Sequence, residues 1–236
     1  RYGFLVQTFD VNQDFANLAN EILPELKTGI TGLCIKKEII NEKDIDGNTG
    51  LEMAIDASKR QQGEPQMYKR TPLSKEICNI VFEDDSIVLK SLVALHKDKN
   101  GNEVSMDLDD ESDGTRRLIE YIPLIYSILY EDAVYIVDEI ERSIHPMMIK
   151  AIMSKISEKK DARGQIIFTT HESSLLDQSI FRPDEIWFAQ KDVNQSTQLY
   201  PLSDYNIHKT ANIENGYLNG RYGGIPFLSN LSDLKW

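Results

Sequence analysis

The chain has 236 residues, 41% of them hydrophobic, which is enough for one large domain or two small ones, and no run approaches the roughly 20 apolar residues of a membrane-spanning helix. Its 26 basic and 38 acidic side chains give a net charge of −12, so direct binding of a polyanion such as DNA is disfavoured unless basic residues cluster. Two cysteines, Cys34 and Cys78, lack the spacing of a metal pair or a disulfide framework, which points to a reducing, cytoplasmic setting.

Phe15, Leu18, Ala19, Ile22, Leu23 and Leu26 recur at three- and four-residue intervals and predict a helix over 12–26, with Pro24 in its last turn and Gly29 as its stop. A strand follows over 30–40. Residues 44–76 are polar and mixed, with a short helix near 51–59 and a flexible stretch over 61–70. Segments 86–96 and 103–108 read as an antiparallel hairpin whose tight turn takes its positive-φ residues from Asn100-Gly101. Acid concentrates between Glu103 and Asp113, a solvated loop or a docking segment.

After Gly114, the positions Leu118, Ile119, Tyr121, Ile122, Ile125, Ile128 and Leu129 mark a mostly buried helix with Pro123 as a kink point. Then come a strand at 133–138, a helix at 146–159, a strand at 165–170, a short helix at 173–178 and a strand at 184–190. This alternation predicts an α/β lobe with a largely parallel sheet. The expected division is a helical and antiparallel β segment over 1–110 and a lobe over 111–236 that carries the motifs.

Val134-Tyr135-Ile136-Val137-Asp138-Glu139 reads as a buried strand that delivers two adjacent carboxylates, and Gln165 to Phe168 runs into a polar Thr169-Thr170-His171. In a parallel sheet, ligands bind beyond the carboxyl ends of the strands, where both tips fall. Asp138 is the candidate for holding Mg²⁺ through water, Glu139 for polarising the attacking water and His171 for a γ-phosphate contact. Ser112-Asp113-Gly114-Thr115 opens a helix, so its hydroxyls and amides form an anion-binding start, with Arg116 and Arg117 adding charge; an ordinary N-cap is the other reading.

These residues resemble those of a known superfamily. Ser112 to Leu118 is similar to the ABC signature loop, Val134 to Glu139 to the Walker B strand, Glu141-Arg142-Ser143-Ile144-His145-Pro146 to the D-loop and His171 to the switch histidine. The resemblance is to AAA family ATPases with ABC-type heads from prokaryotic phage-defence and abortive-infection systems, relatives of the heads of SMC and Rad50 proteins and of overcoming-lysogenisation-defect nucleases. It is strong over 86–228, where the ending Asn212 to Pro226 is similar as well, and weak before that.

The resemblance implies a P-loop NTPase fold and the cofactors ATP and Mg²⁺. It also implies a homodimer or higher oligomer of heads that sandwiches ATP, with Ser112, Gly114, Thr115 and Arg116 of one head at the γ-phosphate held by the other. An effector protein such as a nuclease is the implied partner. Hydrolysis would then act as a switch between closed and open pairs.

The sequence departs from the family in one respect: it has no Gly, four residues, Gly-Lys-Ser/Thr loop, and no Gly-Lys pair at all. The family places that loop ahead of these motifs, so a chain that starts at Arg1 without methionine is expected to be cut from something longer and to be inactive alone. Three rivals remain: a non-catalytic scaffold on the same fold, a DNA-repair or SMC-like ATPase, and a transporter ATPase, the last disfavoured by the wording of Glu141 to Pro146. Carboxylates for a two-metal phosphodiesterase are not assembled elsewhere. His145 and His208 read as surface residues, Trp187 as strand core, and Gly220-Arg221-Tyr222-Gly223-Gly224 as a tight loop that closes the tail.

Overall fold

A computed structural model describes residues 2–41, 48–61, 63–69, 78–192, 194–208 and 210–225. The chain divides into two compact units, Arg1–Tyr135 with Arg163–Gln165, and Ile136–Ala162 with Ile166–Trp236.

The first unit opens with helices α1 (Tyr2–Val11) and α2 (Gln13–Glu25). The start of α2 is set by Asn12, whose side-chain oxygen accepts the Phe15 N–H at 3.0 Å and satisfies an amide that the helix cannot. Its buried face is Phe15, Ala16, Ala19 and Leu23; of the predicted positions Phe15, Ala19 and Leu23 are buried, Leu18, Ile22 and Leu26 are half-buried, and Ala16 joins them. Gly29 is not the stop: the helix ends at Glu25, one residue after Pro24, and the chain turns at Lys27, at φ +51°. β1 (Gly32–Ile39) and α3 (Thr49–Arg60, capped by Asn48) match the predicted strand and short helix.

β2 (Gln66–Tyr68) lies in the stretch read as flexible, of which residues 62 and 70 are outside the described residues. It pairs with β3 (Cys78–Glu83), a strand that periodicity did not reveal. β3 returns into β4 (Ser86–Lys97) through Asp84-Asp85, both at positive φ. Twelve residues long, β4 is the spine of an antiparallel sheet: it pairs with β1 over Val88–Leu95, with β3 at its start, and with β5 (Glu103–Asp107) at its end.

The predicted hairpin is therefore present, but its turn differs. Only Gly101 has positive φ, and the loop is organised by Asp98, whose carboxylate accepts the N–H groups of Asn100 and Asn102. One side chain that gathers two amides removes the need for a two-residue turn. The core of this unit joins Leu5, Val6, Phe15, Ala19, Leu23, Leu92, Ala94, Leu108, Ile119 and Ile122. The last two belong to α4 (Asp113–Tyr130), which runs through Pro123.

β6 (Val134–Val137) and β7 (Gln165–Phe168) cross the boundary between the units and pair with each other. Thr169 donates its N–H to Val137 and accepts from the Ile140 N–H, the slanted pattern of a parallel pair. The expectation of a largely parallel sheet is corrected here: among the described residues only this pair is parallel. The reading of β6 as buried is corrected too, since Val134 and Ile136 are 64% and 82% exposed. Parallel strands bury both faces only when helices cover both, and the described residues leave the face of Val134 and Ile136 open.

In the second unit, α5 (Pro146–Glu158) starts with Pro146 at its first position behind the cap His145. A 3₁₀ turn at Ser173–Leu175 replaces the predicted helix over 173–178, because Asp177 accepts the Ser179 N–H and closes a turn. β8 (Trp187–Lys191) pairs antiparallel with β9 (Thr197–Pro201), a strand that periodicity also left unseen. Trp187 is not strand core: it is 59% exposed and donates its indole N–H to the Asp184 carbonyl, while its neighbour Phe188 points inward. Phe188, Leu202, Ile213 and Tyr222 form the local core with the short helix α6 (Ile213–Leu218).

Candidate functional site

Asp138 and Glu139 leave the end of β6, both exposed, and Glu139 takes a left-handed φ of +50°. A glutamate in that region is strained, and the end of the neighbouring strand holds it there. Thr169, immediately after β7, donates its hydroxyl to Asp138 Oδ1 at 2.5 Å and accepts the Glu139 N–H at 2.9 Å. Its own main chain bonds Val137 and Ile140 at 3.0 and 3.1 Å. One threonine thus fixes the two strand ends and both carboxylate-bearing residues.

The 139–145 segment is a tight turn. Arg142 N–H donates to the Glu139 carbonyl at 3.0 Å and Ile144 N–H to the Glu141 carbonyl at 2.8 Å, with Ser143 at φ +63°. Ile140 and Ile144 point into the interior. Their burial leaves Glu141 facing the end of β7, where its carboxylate accepts from the Thr170 hydroxyl at 2.7 Å and from the His171 N–H at 2.8 Å. Burial pushes the Glu141 carboxyl up, but the hydrogen bonds from the His171 amide and the Thr170 hydroxyl, joined by a backbone hydrogen bond of its own and the His171 side chain, hold it below its ordinary value.

His171 itself is exposed. The segment after it is held in turn by Ser173, whose hydroxyl donates to Glu214 of α6 at 3.1 Å. Asp138, Glu139 and His171 are therefore brought together on adjoining segments of one unit. Thr169 and Glu141, which organise them, escaped assignment from sequence; a pair of threonines at the very end of an apolar run was the available signal.

Ser112, Gly114, Thr115 and Arg116 belong to the other unit. Ser112 is the N-cap of α4: its Oγ accepts the Thr115 N–H at 3.1 Å and lies 2.8 Å from Thr115 Oγ1, and Gly114 sits in the first turn. Arg116 donates to the Asp109 carbonyl at 3.0 Å and pairs with Asp113, while Arg117 pairs with Glu120 and lies over the Tyr121 ring. His96 and Glu111, 2.5 Å apart, join β4 to the residue before the cap.

The donor set can be tested against the metal that the motifs imply. Asp138 offers an exposed carboxylate beside a threonine hydroxyl, and among the described residues no group of three or more His, Cys, Asp or Glu side chains gathers to hold an ion. That fits Mg²⁺, which keeps much of its water shell and takes one or two carboxylates with phosphate oxygens; it does not fit a closed zinc site.

The chain belongs to the family described as "AAA domain, putative AbiEii toxin, Type IV TA system", whose model matches residues 12–177. It is thereby a member of the AAA, P-loop ATPase class, with an α/β fold and nucleotide binding as the class properties, ATP and Mg²⁺ being what such domains generally use. The match reaches back to α2 and ends at Asp177, so it takes in every candidate residue and leaves out the β8–β9 hairpin and α6. No curated protein matches the chain. Among the described residues no helix is long and apolar enough to cross a membrane.

Proposed function

We propose that the chain is an ABC-type ATPase head that binds and hydrolyses ATP, dimerises, and controls an effector protein in a prokaryotic anti-phage defence system. The observation that carries this reading is the knot at Thr169, which sets Asp138, Glu139 and the His171 segment side by side at the ends of two parallel strands. In it, Asp138 would hold a hydrated Mg²⁺, Glu139 would take the proton of the attacking water and His171 would meet the γ-phosphate. Ser112, Gly114, Thr115 and Arg116 at the start of α4 act on the nucleotide held by a second head.

The proposed functional division, 1–110 and 111–236, follows these motifs; by compactness α4 packs within the first unit. The 236 residues contain no Gly-Lys pair, so the chain alone lacks the lysine and the amide cradle for the α- and β-phosphates and is proposed to be inactive by itself. The words "putative AbiEii toxin, Type IV TA system" in the family's description are in keeping with the proposed defence setting.

The test is calorimetry and sizing with Mg-ATP on the protein that carries this chain, with Glu139→Gln alongside. Trapped ATP and stabilised dimers in the variant support the ATPase head. Partner binding that survives both Glu139→Gln and ATP removal unchanged would favour the scaffold instead.

A further inference from the structure

Both oxygens of one carboxylate in the 139–145 turn are occupied by the segment that carries His171. Glu141 Oε2 takes the Thr170 hydroxyl at 2.7 Å and Oε1 takes the His171 N–H at 2.8 Å. Hydrogen bonds to an ionised acceptor are about twice as strong as neutral ones, and a two-point attachment fixes orientation as well as distance. Thr170 Oγ1 also accepts the Glu172 N–H at 3.0 Å, so the carboxylate organises three consecutive residues.

The other end of the attachment is equally defined. The Glu141 main chain is closed into the turn by the Ile144 N–H, and that turn begins at Glu139, whose own N–H is bound by Thr169. Displacing the 139–145 turn therefore pulls on the His171 amide through one side chain.

We propose that Glu141 is a positioning residue: its carboxylate, bound at once to the Thr170 hydroxyl and the His171 amide, holds His171 in register with Asp138 and Glu139 and couples the 139–145 turn to it. The role rests on the ATPase reading, in which His171 meets the γ-phosphate.

The test has two arms. In the first, without nucleotide, amide hydrogen exchange is followed at residues 169–173. Glu141→Leu keeps most of the side-chain volume and removes both acceptors; the His171 amide is expected to exchange about tenfold faster, the factor that loss of one such hydrogen bond produces, while Ile140 and Thr169 keep their rates. Thr170→Val should loosen the same amide, and Thr170→Ser should restore it. An unchanged His171 amide in Glu141→Leu would overturn the proposal, as would equal acceleration across the whole unit.

In the second arm, Mg-ATP hydrolysis by the protein carrying this chain is expected to lose at least about tenfold in kcat in Glu141→Leu, with KM moving less than about twofold, because alignment acts on the chemical step. Parallel loss in kcat and KM would overturn the positioning role. A wild-type protein that does not hydrolyse Mg-ATP overturns the parent reading instead, and the exchange arm then still decides whether Glu141 holds His171.

Discussion

At the scale of single residues the site depends on hydroxyls more than on its carboxylates. Asp138 and Glu139 are visible in the sequence as the end of an apolar run, yet both are exposed and take their places from Thr169. Thr169→Val preserves the shape and removes both hydroxyl hydrogen bonds, leaving the strained φ of Glu139 without its anchor. We expect a loss of about 1 kcal/mol or more of unfolding free energy by chemical denaturation, in line with the net worth of a hydrogen bond to a charged group. No change in the denaturation midpoint would mean that the turn holds itself. Glycines act at this scale too: a Cβ on Gly216 would lie 2.7 Å from the Tyr222 ring, so Gly216 permits the aromatic closure of α6.

At the scale of elements, periodicity located the long pieces and side-chain turn chemistry decided the short ones. α2 and α4 are legible because their apolar positions repeat at helical spacing, and the start of α4 because Ser112 is a cap residue; the Asn12 cap of α2 is seen in the structure. β3 was missed although Asp84-Asp85 sits between two apolar runs, since aspartates tolerate the left-handed φ that a two-residue hairpin turn demands. Asp85→Gly at φ +58° should therefore stabilise the β3–β4 hairpin by less than about 1 kcal/mol, left-handed strain of about 1–2 kcal/mol being partly offset by about 0.5–1 kcal/mol of extra glycine chain entropy. A destabilised variant would show that the Asp85 side chain contributes more than its backbone costs.

The link between α5 and the turn after it gives a pH prediction. Asp177 is held down to about 2, chiefly by its hydrogen bond with Lys150 at 2.8 Å and then by the Ser179 hydroxyl and amide. Since the folded value lies below the unfolded one near 3.9, the stability from this link is fully present above pH 4 and is lost as the pH falls towards about 2. Asp177→Asn should flatten that part of the acid unfolding curve while lowering stability at neutral pH. An acid limb identical to the wild type would place the proton uptake elsewhere.

At the scale of the whole molecule, composition speaks to partners and topology to chemistry. With a net charge of −12, the chain is expected to leave duplex DNA unshifted in a gel at about 0.15 M salt, where counterion release offers an acidic protein little. A salt-sensitive shift would reveal a local basic face that overcomes the net charge.

Order and type of motif were determined by the sequence alone: the apolar runs, the Asp138-Glu139 pair, the Thr169-Thr170-His171 tip and the Ser112 cap are all local patterns, and the family match spans them. Tertiary structure alone decided that β4, through three neighbours, forms an antiparallel sheet, that Val134 and Ile136 of β6 are left exposed by the described residues, and that Thr169 and Glu141 tie segments about 30 residues apart. The reason is physical. Periodicity and capping are properties of neighbours along the chain, whereas strand pairing and a carboxylate's choice of donors depend on which distant groups folding brings within hydrogen-bond reach.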